Sequence, residues 1–386
     1  MTDPTPSPAP SAAGGPAVRR WLAGPLPPGA AAVLDRLARA DDVRRIAVLP
    51  DVHVAADVCV GTVLATAGSI YPAAVGGDIG CGMLAVAFDC PADVLATEAA
   101  ASRLFGRLYG AIPSNRHRRP PELPPDLAAR PLSDARLSAV ARRDGRAQFG
   151  TLGRGNHFLE FQADEADGRL WACVHSGSRA VGQTVRDWHV GRTTAGRGGL
   201  VRIDANGPAG QAYLADADWA RAYAAASRAA MLSAAADAVL TLFDARPVDG
   251  SGVGCDHNHV RRENHFGEAL WVHRKGAMPA ATGEAGVLPG SMGTATYHVE
   301  GRGEAESLSS SAHGAGRAMS RTEARAAVSE RDLRRQLAGV WFDPRAGPRL
   351  REEAPAAYKD VAAVLRAQRD LVRVTRRLRP VLVYKG

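Results

Sequence analysis

An aspartate and a cysteine stand three residues apart among glycines in Gly76-Gly77-Asp78-Ile79-Gly80-Cys81-Gly82. Glycine lets the backbone pack closely and take positive φ. That leaves the carboxylate and the thiol as the side chains in this run able to grip a cation. A hard oxygen donor beside a soft sulfur donor suits a borderline transition metal better than Mg²⁺ or Ca²⁺. Two ligands do not complete a site. Histidines in glycine-rich settings follow at His157, His175, His273 and His313, and they are expected to converge on Asp78 and Cys81. Taken alone, Cys81 would more often be a buried small hydrophobe and Asp78 a turn residue. The later motifs reverse that balance.

The elements that must carry these residues are legible in outline. Residues 1–18 are Pro, Ala, Ser and Gly with little apolar bulk and read as a disordered tail. A short helix is expected near 28–40. The apolar run 45–49 reads as a buried strand ending at Pro50-Asp51-Val52-His53, which puts Asp51 where loops commonly carry function. Alternating sequence over 60–70 leads into the Asp78 loop, and 83–88 is the next strand. Residues 93–110 read as a helix. Residues 111–147, rich in Pro and Arg, read as a loop with some helix. In the strand after Gly155-Asn156, period-2 alternation puts His157, Leu159 and Phe161 on one face and Phe158 and Glu160 on the other. Strands 170–175 and 269–273 each end in a histidine. An alanine-rich helix is expected over 218–246, its stripe of Met231, Leu232, Ala235, Val239 and Leu242 being core. The last strand delivers Lys385. With no repeat and no linker dividing the candidate ligands, residues 19–386 read as one domain.

Composition narrows the class. A hydrophobic content of 46% suits a soluble globular chain, and no apolar run of membrane-spanning length is evident. Five cysteines, an odd number in a long chain, fit a reducing cytoplasm rather than a disulfide framework. The net charge of +8 favours a polyanion such as nucleic acid, though a solvated basic face fits the same number. The three lysines are Lys275, Lys359 and Lys385, two of them beside glycines of the suspected site.

The order of the motifs resembles the RtcB family of RNA ligases. The resemblance runs from about residue 50 to 386. It is carried by PDVH (50–53), GGDIGCG (76–82), GTLGRGNHFLE (150–160), VHSGSR (174–179), HN (257–258), VHRKGA (272–277), PGSMGTA (289–295), HGAGRAMSR (313–321), YKDV (358–361) and the terminal KG. It implies an α+β fold: one large domain of mixed and antiparallel sheets, flanking helices and a deep central metal cleft. It also implies an enzyme that uses GTP and two Mn²⁺ ions to join RNA 3′-phosphate or 2′,3′-cyclic phosphate ends to 5′-hydroxyl ends.

Residue by residue, the resemblance makes Cys81 a thiolate bridging two manganese ions. Asp78 and His157 would complete one ion's ligands, and His175 and His273 the other's. His313 would be the nucleophile that takes GMP. Asn156, Phe158, Leu159, Glu160, Arg274, Pro289, Gly290, Ser291, Met292, Thr296, Gly314, Ala315, Gly316 and Lys385 would form the guanylate site, with His157, His273 and His313 beside it. Arg179, Arg317 and Arg321 would serve RNA phosphates, and Asp51 would stand near the reacting 5′ end. His257, His259 and His265 are read as support for the ligands rather than a second metal cluster.

The sequence departs from the family at 54–59 and at Gly77, where an aromatic residue is familiar, and 110–150 looks divergent. These changes touch the pocket rim and RNA path. A dinuclear-metal phosphoesterase would need neither His313 nor a guanylate turn. A non-catalytic RNA-binding relative would be expected to have lost a metal ligand. An activator protein is a conceivable partner, a membrane is not, and a monomer is the default.

Overall fold

The structure, a computed structural model, describes residues 15–386. Most of the expected tail, through residue 14, lies outside the described residues. Its boundary at 18 moves back, because Ala17–Arg20 already forms strand β1 and pairs parallel to its neighbour from Ala17↔Arg45 onward.

Two large sheets make an α+β single domain. The first contains β1, β2 (Val43–His53), β3 (Val60–Thr66), β11 (Glu268–Lys275) and β10 (Asn258–His265), in that order. The β10–β11 hairpin turns at Phe266 and Gly267, whose φ values of 53° and 80° are the positive pair a two-residue hairpin needs. The second sheet is antiparallel throughout. Its order is β13 (Ala285–Leu288), β14 (Thr296–Gly301), β16 (Val372–Tyr384), β6 (Phe158–Asp164), β7 (Arg169–Ser176), β5 (Gly82–Pro91) and β9 (Val253–Asp256). Two small ribbons complete the strands, β4 (Ser69–Ile70) with β8 (Ile203–Asp204), and β12 (Ala277–Pro279) with β15 (Ser310–Ala312).

The strand ends explain where chemistry gathers. Cys81 directly precedes β5, His157 directly precedes β6, and His175 is the next-to-last residue of β7. These three strands are adjacent, with Met83 and Phe158 both paired to His175. β9 ends at Asp256 in one sheet and β10 begins at Asn258 in the other. His257 is thus the single residue that links β9 in one sheet to β10 in the other.

The alanine-rich helix runs over Pro208–Phe243, ten residues earlier than alanine spacing alone suggests, because Gly207-Pro208 is its start signal. Among the described residues it is the one helix long and apolar enough to cross a membrane. Here Tyr213, Trp219, Tyr223, Met231 and Val239 on it are buried in the protein's own core. The Pro/Arg-rich 111–147 segment is anchored rather than loose. Leu123, Leu127, Leu132 and Leu137 pack against that helix, and Ser133 donates through its N–H to Asp216 at 2.7 Å.

Candidate metal centre and nucleotide pocket

Two overlapping sets of donors meet at the strand ends. One is Asp78, Cys81 and His157; the other is Cys81, His175 and His257, and within each set the donor atoms lie within 4.8 Å of one another. Cys81 Sγ is 3.5 Å from His157 Nε2 and 3.3 Å from His175 Nε2. His157 Nε2 is 2.9 Å from Asp78 Oδ2, and His175 Nε2 is 3.0 Å from His257 Nε2. His175 Nδ1 faces the Asn156 carbonyl at 3.1 Å. Donation there leaves the Nε2 lone pair aimed at the cluster, the tautomer a metal ligand needs.

Electrostatics fit a cation. Burial and the neighbouring histidines hold His175 and His257 well below the ordinary imidazole value, so both are neutral. Burial opposes ionisation of Asp78, but the His157 hydrogen bond and charge prevail and hold it near about 2. Burial and the Asp78 carboxylate push the Cys81 thiol well above its usual value. The donor atoms of three imidazoles, a carboxylate and a sulfur converge; a divalent cation bound among them would replace the His157–Asp78 hydrogen bond and favour the Cys81 thiolate.

The loop that carries Asp78 and Cys81 is held by Asn258. Its side-chain amide donates to the Asp78 carbonyl at 3.0 Å, and its own carbonyl accepts from Gly80 N–H at 2.8 Å. Gly80 sits at φ 71°, and its Cβ position lies 2.7 Å from the Arg221 Cα, so a side chain has no room there.

His313 stands beside this centre, its ring centroid 4.4 Å from that of His257. Its Nδ1 lies 2.7 Å from Asp51 Oδ2, and its backbone N–H donates to the same oxygen at 3.2 Å. Asp51 is fully buried. Lys359 Nζ donates to the carbonyls of Pro50 and Val52 at 3.0 and 2.6 Å, fixing the backbone on both sides of Asp51.

A pocket of about 550 Å³ joins these groups. Asn156, Phe158, Glu160, Met292 and Lys385 line it together with Asp78, Cys81, His175 and His313. Burial raises the Glu160 carboxyl to about 8, although Gln162 donates to it at 2.6 Å. Lys385 Nζ is 5.9 Å from the centroid of the Phe158 ring and 3.7 Å from Glu353. Pro289, Gly290 and Ser291 add the glycine turn, and Gly314, Ala315 and Gly316 the segment after His313.

The family model described as tRNA-splicing ligase RtcB matches residues 34–128 and 126–386. The chain belongs to the RtcB family. It is 35% identical over 373 residues to RNA-splicing ligase RtcB of Escherichia coli (strain K12), covering 89% of this chain and 90% of that protein. It is 30% identical over 378 residues to RNA-splicing ligase RtcB2 of Escherichia coli strain ATCC 25922, covering 92% and 91%. The similarity to RNA-splicing ligase RtcB of Mycobacterium tuberculosis is 35% over 295 residues, 65% of this chain and 68% of that one.

Within this RtcB-family site, the structure gathers Asp78, Cys81, His157 and His175 but not His273. The His273 ring is fully buried in the first sheet, where Nε2 accepts the Tyr71 N–H at 3.0 Å and Nδ1 faces Leu64 O and Trp271 O. Alternation explains the miss. His273 shares a strand face with Lys275, which does line the pocket, but sits two residues deeper along β11. His257 supplies the donor instead. Its signal in the sequence was the His257-Asn258 pair, which carried the resemblance without suggesting a ligand.

Three expected guanylate residues also lie elsewhere. Leu159 is packed in the core, as its alternation with Phe158 and Glu160 requires. Thr296 accepts from Gln162 at 3.0 Å, one contact behind Glu160. Arg274 is buried and bonded to Glu263, Ser310 and the Leu308 carbonyl. Arg317 lines the pocket and is tied to Glu353 at 3.1 Å. Arg179 gives its backbone N–H to Asp78 Oδ1 at 3.2 Å, with φ 59°, and its guanidinium lies against Gly153 outside the pocket lining. Asp51, expected near the reacting 5′ end, lies behind His313 and does not line the pocket. Glu353, unremarked in the sequence, lines the pocket and binds Arg317 and Lys385. The side chain of Gln183 occupies the space a side chain at Gly77 would need.

Proposed function

We propose that this chain is an RNA ligase that joins RNA 3′-phosphate or 2′,3′-cyclic phosphate ends to 5′-hydroxyl ends, using GTP and Mn²⁺ through a histidyl–GMP intermediate. The observation that carries the reading is His313: an imidazole oriented by a buried carboxylate, facing one pocket lined by Asp78, Cys81, His175 and His257 and by the guanylate-type loops. Asp78, Cys81 and His157 would hold one ion, and Cys81, His175 and His257 the other. Bound there, divalent cations supply positive charge that neutralises phosphate oxygens during displacement.

The residues then divide the task. Asp51 accepts a hydrogen bond from His313 Nδ1–H, leaving the Nε2 lone pair as the nucleophile. His313 Nε2 bonds to the α-phosphorus of GTP and pyrophosphate leaves. The RNA 3′-phosphate takes the GMP from His313, and the 5′-hydroxyl then displaces GMP as the new phosphodiester forms. Positioning and charge compensation are the protein's main contribution to such transfers. Glu160 would accept from guanine N–H groups, and Lys385 and Arg317 would meet nucleotide or RNA phosphates. The reading also favours a reducing cytoplasm, since Cys81 must stay a free thiol. The reading takes an activator protein as a further partner and the monomer as the acting state.

The test is incubation with Mn²⁺ and GTP labelled at the α-phosphate, followed by a denaturing gel. Label should appear on the protein and be lost in His313→Ala. RNA with 3′-phosphate and 5′-hydroxyl ends should be sealed, and RNA with 3′-hydroxyl and 5′-phosphate ends should not. Metal uptake without label or sealing would sink the ligase in favour of a phosphoesterase.

A further inference from the structure

Arg221 and Arg228 stand seven residues apart on the helix Pro208–Phe243, so they share one helix face. Both reach beneath the donor loops. Arg228 is 5% exposed, and its Nη1 donates to Gly80 O at 2.7 Å and to Ser176 O at 2.9 Å. Gly80 is the residue before Cys81, and Ser176 the residue after His175. Arg221 Nε donates to Asp256 Oδ2 at 2.8 Å, on the residue before His257. Each donor of the Cys81–His175–His257 set is therefore one residue from an arginine anchor. Neither arginine bonds to Asp78, to His157 or to the residues beside them.

The chemistry suits a clamp. A guanidinium is planar and rigid, so one nitrogen donating to two carbonyls fixes their separation. Here that separation sets how far Cys81 stands from His175. Arg228 has no ion-pair partner among the described residues, and burying a guanidinium is costly unless its donors are satisfied. The two carbonyls satisfy Nη1, and they belong to the segments that deliver Cys81 and His175.

We propose that Arg221 and Arg228 are positioning residues that set the geometry of the Cys81–His175–His257 half of the metal centre, while the Asp78–His157 half is held by other contacts. The inference rests on the dinuclear reading above and deepens it by making the two halves separable.

The test titrates wild type, Arg228→Met, Arg228→Gln and Arg221→Met with Mn²⁺ by calorimetry. Absorption titrations with Co²⁺ follow the thiolate-to-cobalt band, and circular dichroism of the metal-free proteins checks folding. Wild type should bind two ions. The Arg228 variants should weaken the Cys81–His175–His257 site about ten- to hundredfold and the Asp78–His157 site, which shares Cys81, by less, with an altered cobalt band. Arg221→Met should weaken the same site. Folded variants that bind two ions with wild-type affinities and spectra would overturn the clamp and leave the dinuclear reading standing. Equal weakening of both sites would overturn it too. Loss of folding in both Arg228 variants would assign Arg228 to packing alone and equally overturn it. A wild type that binds no Mn²⁺ would instead overturn the dinuclear reading beneath it.

Discussion

One carboxylate oxygen of Asp51 receives both the side chain and the main chain of His313, with Nδ1 at 2.7 Å and the backbone N–H at 3.2 Å. Two contacts from one residue to one oxygen fix the plane of the ring as well as its tautomer. The carboxylate is fully buried and cannot swing away to water.

Asp51→Asn should therefore damage the nucleotidyl step selectively. An amide can turn its NH₂ toward Nδ1 and hold the opposite tautomer, which puts the proton on Nε2. A comparable loss of tautomer control in a serine protease costs about 10⁴-fold, and a fall of about 10²- to 10⁴-fold in the labelling rate of His313 is expected. Manganese affinity should not move, since Asp51 belongs to neither donor set. Wild-type labelling by the variant would contradict the positioning role.

His257 and His273 invite a paired comparison. His257→Ala removes a donor of the second set, so calorimetry should register one ion fewer, with little change in the stability of metal-free protein. His273→Ala leaves the Tyr71 N–H without its partner, a cost of about 1–3 kcal/mol for an unsatisfied buried donor. It should unfold at lower denaturant yet still bind two ions. The reverse pattern would restore His273 as the ligand.

The contrast between these two histidines shows what local sequence carries and what it does not. Alternation at 157–161 puts Phe158 and Glu160 on one face and Leu159 on the other, because period 2 needs no partner strand, but only the structure shows that the first face lines the pocket and that Leu159 is core. The placement of Cys81, His157 and His175 at strand ends was readable for the same reason. His257 was not, since its role depends on a crossing between two sheets whose pairing partners are distant in sequence. Arg221, Arg228 and Glu353 carry no such local signal, because buried charges that brace a site follow no apolar periodicity. The Arg274–Glu263 pair shows the opposite error: a motif residue next to the pocket-lining Lys275 spends its guanidinium inside the fold.

Glu160 predicts a pH dependence with a definite sign. Burial raises its carboxyl from 4.5 to about 8 in the folded protein. Between those values the native state binds more protons than the unfolded one, so its contribution to stability falls as pH rises, then levels off above about 8. Glu160→Gln cannot titrate. Stability of metal-free wild type minus that of the variant, measured by denaturant unfolding, should decline across this window. A flat difference curve would show that Glu160 is ionised throughout.

Gly177 offers the mirror image of the arginine clamp. A Cβ at this position would collide with the Asp78 carboxylate, whereas its φ is not in the left-handed region, so alanine strains no backbone. Gly177→Ala should displace Asp78 and break its 2.9 Å contact with His157. Manganese titration should then show the Asp78–Cys81–His157 site weakened by about tenfold or more, as for lost support of a ligand, with the Cys81–His175–His257 site retained. Because Cys81 serves both sets, loss of both ions together would mean that the sulfur, rather than the carboxylate, had moved. The labelling assay on the same variant then tests the first ion's duty: label that persists would mean nucleotidyl transfer to His313 does not need the ion on the Asp78 side.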